Sequence, residues 1–380
     1  MRPNFHHIRL ILCLVYIDIS TWIVLFVSHP LGTVYHINGL KFIRKRREQL
    51  LTCMADGLHI STTCGDILVE NCLFQHQGDD GIAFSTLKTR VKKVEGNTIV
   101  VKYPPMDVYE SDLMPTIYVA GDRIALCREG MEKVGEAIVQ SVKVEGTTYR
   151  INIDKIGDYE IEPHMFCLNM NRRPENVLIR NNVFRRHRCR GMHTCGKNVV
   201  IEHNIFEDLQ NAAIMVTEDT FDFYLGYFPE NYLIRHNRFT RTSNDIINPR
   251  VRSSSGAVVV INSICGDNVP DETNRKKYEE RIWPEPSCFS PLQVIKNIIV
   301  KGNHFDTSPQ MAILATSTDG LLIENNTIEN VGYCRDKKDG EALHASFDGE
   351  ITILQSCRNV IVQDNEFVDM NSPYQNVYCE

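Results

Sequence analysis

The sequence predicts an all-β protein, a right-handed parallel β-helix with a small antiparallel β-barrel inserted into one of its coils. Three observations predict this fold class. A short motif recurs along most of the chain, its apolar segments are only three to five residues long, and one stretch interrupts the repeat with hairpin-like strands. Apolar segments this short and alternating are typical of strands and too short for helices.

The recurring motif reads as a polar residue, two residues, Ile or Val, two residues, Asn, one residue and Phe. Copies begin at positions 66, 176, 198, 231, 297, 320 and 359; those at 176 and 198 are 22 residues apart and those at 297 and 320 are 23 apart. This period is typical of a parallel β-helix. We expect the repeated Asn to form an internal ladder in which each side chain bonds the next rung. Leucine-rich repeats are the alternative, but their Leu spacing and helical segment are absent.

Residues 88–163 interrupt the repeat. The segments TRVKKVEGNTIVVKY, YVAGDRIALCRE and GEAIVQSVKVEGTTYRINID read as antiparallel strands separated by turns that contain Gly. We therefore predict a β-barrel at 88–163, between β-helix coils at 31–87 and 164–380. A second interruption at 265–293 is charged and contains Pro, which predicts a surface excursion.

Residues 1–30 contain two apolar runs, LILCLVYI at 10–17 and TWIVLFV at 21–27, with Asp18 between them. Asp18 would be costly in a bilayer, so the pattern favours a signal-type segment or a wrongly assigned start over a membrane anchor. We expect no stable membrane span and a secreted or periplasmic location.

The composition is that of a globular protein, with 43% hydrophobic and 23% charged residues. A net charge of -7 does not indicate a strongly basic surface, so we expect no nucleic-acid partner. The 13 Cys include no CxxC pair, which argues against zinc. Most are interpreted as small buried hydrophobes, with a partial disulfide framework as the alternative. Nothing in the sequence indicates the oligomeric state.

Three segments, ADGLHI at 55–60, DDGIAF at 79–84 and CRGMHT at 189–194, align on one strand of successive coils. By strand alternation, one column points into the core and the next points outward. The inward column is Leu58, Ile82, Met192 and Ile214, and the outward column is His59, Ala83, His193 and Met215. A third column holds Asp56, Asp80 and Arg190, on successive rungs if the barrel lies within a coil.

The candidate catalytic residues are Asp56, Asp79 and Asp80. Rungs stack about 4.8 Å apart, so these carboxylates would crowd together, and like charges this close raise at least one pKa. A protonated carboxyl beside an ionised one suits glycoside hydrolysis, in which one acid protonates the leaving oxygen and the others activate a water. Two alternatives stay open: Asp-Gly is a common turn, and clustered Asp on adjacent rungs can bind calcium.

Neighbouring residues are candidates for substrate binding. Arg190 stacks beyond Asp80, where it could lower the pKa of that carboxyl and bind sugar hydroxyls, or be a surface Arg paired with an acid. His59 and His193 share the outward column and could each donate to a hydroxyl. Arg186 and Arg188 either flank the groove or cover a turn.

The stretch ADGLHISTTCGDILVENCLFQHQGDDGIAF resembles the signature of glycoside hydrolase family 110, the α-1,3-galactosidases, and the resemblance covers roughly residues 50–370. It is also similar in layout to polygalacturonases, but the Gly-His-Gly and Arg-Ile-Lys of those enzymes are absent, and the barrel directly after the DDG coil fits family 110 better.

The resemblance implies inverting hydrolysis of a terminal α-1,3-linked galactose, as in blood group B glycans, with no metal and no cofactor. It implies that Asp79 is the general acid and that Asp56 and Asp80 hold and deprotonate the water. Asp219, in VTEDTFDFY, is expected to begin a loop and to hydrogen-bond the galactose. The alternatives are another β-helix polysaccharide hydrolase or lyase, or an inactive carbohydrate-binding β-helix.

Overall fold

A computed structural model describes residues 9–13, 24–25, 33–44, 46, 48–102, 117–146, 148–220, 225–244, 257–265, 289–332, 349–354, 356–369 and 375–379. Regular structure in these residues is β-strand apart from one 3-10 turn, Glu129–Met131. Three parallel sheets stack as a β-helix, and one closed antiparallel barrel interrupts them. The predicted fold class is confirmed.

Each complete coil contributes one strand to each of the three parallel sheets. The first sheet has nine strands, in spatial order Arg9–Cys13, Thr33–Asn38, Gly65–Glu70, Pro174–Arg180, Lys197–Glu202, Glu230–Arg235, Ile295–Lys301, Thr318–Glu324 and Arg358–Gln363. The second sheet has eight shorter strands, Lys41–Phe42, Leu73–Gln75, Val183–Arg185, Ile205–Glu207, Arg238–Thr240, His304–Ser308, Thr327–Val331 and Glu366–Val368.

The third sheet carries the candidate site. Its nine strands are Val24–Leu25, Leu58–Ser61, Ile82–Ser85, Met192–Thr194, Ile214–Asp219, Ala257–Ile264, Met311–Ala315, Gly349–Ile353 and Gln375–Cys379. The cross-strand partners place Leu58, Ile82, Met192 and Ile214 in one column, all buried in the main core, as predicted. His59, Ala83, His193 and Met215 form the neighbouring column, also as predicted.

The repeated Asn forms the predicted internal ladder. Asn204 Nδ2 donates to Asn237 Oδ1 at 3.1 Å and to the Ile179 carbonyl at 3.0 Å, while its own Oδ1 accepts from Asn182 Nδ2 at 3.0 Å. The same pattern continues through Asn303, Asn326 and Asn365. Every amide on this ladder therefore satisfies a backbone group at a turn and ties one rung to the next.

The structure also explains which residue types precede the ladder Asn and why a Phe follows it. The preceding position has a left-handed backbone, with φ of 55° at Asn181 and 55° at His203, which Asn, Asp, His and Gly tolerate best. The Phe rings stack along the core at centroid distances of 4.9 Å for Phe74 with Phe184 and 4.8 Å for Phe184 with Phe206. Burying each ring stabilises the fold by roughly 1.5–3 kcal/mol.

The barrel interrupts the coil that contains Ile82–Ser85. Its strands close in the order Thr98–Lys102, Thr148–Ile156, Lys133–Glu145, Arg123–Cys127, Phe166–Asn169 and Lys88–Glu95. The predicted range ended at 163, whereas the last barrel strand reaches Asn169. Its apolar segment FCLN looks like a β-helix strand from sequence alone, and only pairing with the strands Arg123–Cys127 and Lys88–Glu95 assigns it to the barrel.

A buried ion pair joins the barrel to the β-helix. Lys88, at the start of the first barrel strand, lies 2.5 Å from Glu218 Oε1 on the third sheet, and both side chains are fully buried. Lys88 Nζ also donates to the carbonyls of Asp219 and Leu225 at 2.7 and 2.8 Å. These three acceptors offset the cost of burying the charge of Lys88.

Several sequence predictions fall partly outside the described residues. Within 1–30, the strands Arg9–Cys13 and Val24–Leu25 pair with Thr33–Asn38 and Leu58–Ser61, and the remaining residues are not described. Most of the predicted excursion at 265–293 also lies outside the described residues. No helix in the described part of the chain is long and apolar enough to span a bilayer. Six Cys of the described residues are free thiols, and all but Cys189 are buried: Cys53, Cys72, Cys127, Cys167, Cys189 and Cys195.

We predict that Asn204→Ala destabilises the protein by several kcal/mol, because it leaves buried backbone and Asn182 amide groups without partners, each costing about 1–3 kcal/mol. Urea unfolding would measure the loss. Gln363→Ala is the matched control, since the Gln363 amide donates to Glu324 on the surface and its removal should change stability by less than about 0.5 kcal/mol. Equal effects of the two substitutions would contradict a structural role for the ladder.

Candidate active site

The third column predicted from the sequence is present at the entry of the third sheet. Gly57 N donates to the Asp80 carbonyl at 2.8 Å, and Gly81 N donates to the Arg190 carbonyl at 3.1 Å. Asp56, Asp80 and Arg190 therefore occupy successive rungs, although 110 residues separate the last two. The chain between those rungs includes the whole barrel.

A column of glycine follows these three residues. A Cβ on Gly57 would lie 2.7 Å from the Gly81 carbonyl oxygen, and one on Gly81 would lie 2.6 Å from the Gly191 carbonyl oxygen. Neither glycine has a left-handed backbone, and neither Asp-Gly pair lies in a hydrogen-bonded turn. Glycine is required because adjacent rungs approach too closely for any side chain at this position.

Asp80 and Arg190 form a buried, two-pronged ion pair. Arg190 Nε donates to Asp80 Oδ1 at 2.7 Å and Arg190 Nη2 donates to Asp80 Oδ2 at 3.0 Å. Burial acts to raise the pKa of the Asp80 carboxyl, but the charge of Arg190 outweighs it, so that the pKa lies below its ordinary value. Arg190 thus lies where the sequence placed it, beyond Asp80, and Asp80 is ionised at neutral pH.

Asp56 lies one rung away and is held from two sides. Its Oδ1 accepts from the backbone N–H of Asp80 at 3.0 Å, and its Oδ2 lies 2.6 Å from Nδ1 of His59. Burial raises the pKa of Asp56 above its ordinary value, and the hydrogen bond to His59, which acts in the opposite direction, does not cancel it. Asp56 is thus oriented by its neighbours and is a stronger base than a free aspartate.

Asp79 differs from the other two carboxylates in its surroundings. Its side chain is 45% exposed, and the nearest cation, Nη2 of Arg190, stands 4.0 Å from its Oδ1. Desolvation and the charges of Asp80 and Asp56 raise the pKa of Asp79 to about 6. The cluster therefore contains two unlike acids. Asp79 faces solvent and keeps its proton in mildly acidic solution, whereas the buried Asp80 is ionised there.

The two candidate imidazoles flank the small side chain of Ala83 in the outward column. His193 is buried, and its Nδ1 lies 3.7 Å from Asp80 Oδ2. Burial and the charge of Arg190 lower the pKa of His193 to about 3, so this imidazole is neutral at neutral pH. His59 is more exposed and faces Asp56. The structure thus brings both His to the acid cluster.

Asp219 is the predicted binding residue that the structure does not bring to this cluster. It ends the strand Ile214–Asp219 instead of beginning a loop. It lies four residues beyond Met215, the partner of His193 on the next rung, or about 13 Å along the strand. Asp219 is 5% exposed, and its carbonyl accepts from Lys88. The polar residues TEDT at 217–220 resemble a turn, but cross-strand pairing extends the strand as far as Asp219.

Cys189 belongs to the cluster although sequence reasoning treated it as a core residue. One donor atom each from Asp79, Asp80 and Cys189 lies within 4.8 Å of the others, the single such trio in the described part of the chain. The sequence signal was available, because Cys189 follows Asp79 by the same 110 residues that separate Asp80 from Arg190.

The donor set of this trio bears on the calcium alternative. Calcium takes six to eight oxygen ligands, whereas here one donor is sulfur and both oxygens of Asp80 already accept N–H groups from Arg190. The donors therefore do not favour calcium. Arg190 supplies the positive charge that a cation would otherwise bring.

Comparisons with known proteins find relatives along most of the chain. It is 27% identical over 331 residues to alpha-1,3-galactosidase B of Phocaeicola vulgatus, covering 84% of this chain and 49% of that protein. It is 27% identical over 337 residues to alpha-1,3-galactosidase A of Bacteroides fragilis, covering 87% and 49%. Alpha-1,3-galactosidase B of Akkermansia muciniphila is 24% identical over 337 residues, covering 87% and 38%. These names confirm the resemblance that the sequence indicated.

The chain spans about half the length, 49%, of the first two of these curated relatives. No family model matches the sequence. Among solved structures, the catalytic unit of the GH87 alpha-1,3-glucanase from Streptomyces thermodiastaticus covers 92% of this chain and 46% of its own at 10% identity, with a TM-score of 0.41. At that level of similarity nothing further follows from it.

We predict that Asp79→Asn stabilises the protein at neutral pH. The folded-state pKa of about 6 exceeds the ordinary 3.8, so stability is lost as pH rises between these values. Allowing for solvent screening, we expect a gain on the order of 1 kcal/mol near pH 7.5 that vanishes below about pH 4. Urea unfolding at the two pH values would measure it, with exposed Asp154→Asn as control. A pH-independent difference would contradict the raised pKa.

We predict that Arg190→Met destabilises the protein by about 3–5 kcal/mol, because it leaves the buried Asp80 carboxylate without its counter-ion. Arg235→Met is the matched control, since Arg235 pairs with Glu202 at 2.6 Å while 38% exposed, and its loss should cost no more than about 1 kcal/mol. Thermal unfolding of both variants would check this, and similar losses would show that Asp80 does not depend on Arg190.

Proposed function

We propose that this acid cluster hydrolyses a glycosidic bond and removes a terminal, non-reducing α-1,3-linked galactose with inversion, from glycans of the blood group B type. One observation carries the proposal. Asp79 has a pKa of about 6 and faces solvent, beside a buried Asp80 that is kept ionised. The relatives named alpha-1,3-galactosidase supply the expected sugar and linkage.

Asp79 is the general acid in this proposal. A carboxyl with a pKa of about 6 keeps a useful fraction of its proton near neutral pH and still gives it up readily. It transfers that proton to the glycosidic oxygen as the bond to the anomeric carbon breaks. Asp80, whose oxygens are both occupied by Arg190, stays charged and helps to hold the proton on Asp79.

Asp56 and Asp80 hold the attacking water, and Asp56 takes its proton. Asp56 suits this role because burial makes it more basic, and because His59 and the Asp80 N–H fix its orientation. The water oxygen attacks the anomeric carbon on the face opposite the departing group. An inverting pair needs about 6.5–9.5 Å between acid and base to admit this water.

The neighbouring side chains bind the sugar. The neutral imidazole of His193 can donate to one hydroxyl and accept from another, and His59 faces the same cluster. The Arg190 guanidinium, placed between Asp80 and Asp79, orients the acid side of the site. Because such glycans are found outside the cytoplasm, we also propose a secreted or periplasmic location.

The proposal predicts that purified protein releases galactose from galactose-α-1,3-galactose and from the branched blood group B trisaccharide. NMR should detect β-galactose before mutarotation produces the α form. Asp79→Asn should lower kcat/KM at least about 100-fold, since acid catalysis contributes 10²–10⁴-fold. Asp80→Asn should lower it comparably, because it removes the charge that helps to hold the proton on Asp79 and a group that holds the water. Exposed Asp154→Asn should leave the rate unchanged.

The rate should also fall as pH rises through about 6, because the required form of Asp79 is protonated. Early release of α-galactose would overturn inversion. If the folded protein releases no galactose from either substrate, the proposed sugar and linkage are wrong.

A further inference from the structure

A group of basic side chains, four arginines and one histidine, lies next to the acid cluster, on the turn that precedes it. Its members are Arg44, His76, Arg185, Arg186 and Arg188, which we call the basic turn. Arg186 and Arg188 are exposed, and the other three are partly buried. The proposed chemistry uses none of these residues.

The stacking of rungs places the basic turn beside Asp79. His76 N donates to the Arg185 carbonyl at 3.2 Å, and Arg188 Nε donates to the carbonyl of Gly78, the residue before Asp79, at 2.6 Å. His76 precedes Asp79 by three positions, so their Cα atoms are at most about 11 Å apart. A glycan with its cleaved bond at Asp79 would reach the basic turn with an adjacent sugar.

The arginines of the basic turn make no ion pair with a carboxylate in the described part of the chain. Other arginines of the β-helix do: Arg180, on the first sheet, lies 2.8 Å from Glu70, and Arg241, two rungs beyond Arg186, lies 2.6 Å from Asp208. Asp208 follows Arg186 by one rung, yet its carboxylate is engaged by Arg241.

Two further features show that positive charge accumulates here. Arg185 Nε is buried and has no hydrogen-bond acceptor. Burial and the guanidinium groups of Arg44, Arg186 and Arg185 lower the pKa of His76 to about 4. The four arginines thus form a local excess of positive charge in a protein whose net charge is -7.

We propose that the basic turn binds an anionic substituent, a sulfate ester or a carboxylate, on the part of the glycan next to the cleaved galactose. This inference rests on the proposed function for the position of the glycan. Guanidinium groups suit both substituents, because their paired N–H donors match two oxygens at once. The basic turn then distinguishes acidic glycans from neutral ones.

Isothermal titration would test the inference with three probes: galactose-α-1,3-galactose, the same disaccharide with a 6-O-sulfate on its reducing galactose, and the analogue ending in galacturonate. All are titrated into Asp79→Asn protein, so that none is hydrolysed. At low ionic strength we expect at least one charged probe to bind about tenfold more tightly than the neutral one, with a smaller advantage in high salt. The probe that gains identifies the substituent.

Adding Arg186→Gln and Arg188→Gln to the Asp79→Asn protein should abolish the tighter binding of the charged probe. The affinity for the neutral probe should stay unchanged. Adding Arg235→Gln instead, which removes a half-exposed arginine that pairs with Glu202, should preserve the advantage. Equal affinity for all three probes, no binding of any probe, or an advantage that survives the double substitution would each overturn the inference.

Hydrolysis of the neutral disaccharide by the unsubstituted protein is measured separately. Hydrolysis without charge discrimination would leave the proposed function standing and remove the inference. Charge discrimination without hydrolysis would remove the proposed function and leave the inference standing. The basic turn would then belong to a glycan-binding surface.

Discussion

The hydrogen bonds that each buried Asn makes to the neighbouring coil are the interaction on which the site depends. It is repeated from Asn182 to Asn365 and keeps successive coils in one register. A slip of one residue would turn every side chain of a strand to the opposite face. Across the barrel, Asn182 donates to the Val69 carbonyl and accepts from the Cys72 N–H, so that Asp80 meets Arg190 from 110 residues away with both carboxylate oxygens engaged.

The same register gives adjacent carboxyl groups opposite properties. Asp80 points toward the next rung, where Arg190 lowers its pKa, while Asp79 points to solvent and carries the repulsion of its neighbours. Separated pKa values of this kind distinguish an acid from an ionised partner in many hydrolytic sites. The close approach of the rungs at Gly81 makes this crowding possible, because any side chain there would push the strands apart.

Much of the site could be predicted because a β-helix converts sequence spacing into spatial neighbourhood. Asp56, Asp80 and Arg190 each lie two positions before the inward residue of their strand, and this spacing alone predicts that they share one column. The same alignment would have identified Cys189 beside Asp79, had it been applied to every residue of the motif. Spacing failed for Asp219, because local letters suggested a loop where cross-strand hydrogen bonds continue the strand.

The sequence by itself determined the coil period, the ladder, the columns of the third sheet and the presence of the barrel. Each of these depends on local alternation or on a repeated spacing, which a linear chain displays directly. The tertiary structure alone decided which strand closes the barrel, how far each carboxyl is buried, and that the arginines of the basic turn lack carboxylate partners among the described residues. These properties depend on distances between coils, and the pKa of a carboxyl follows from the charges and solvent that surround it in the folded protein.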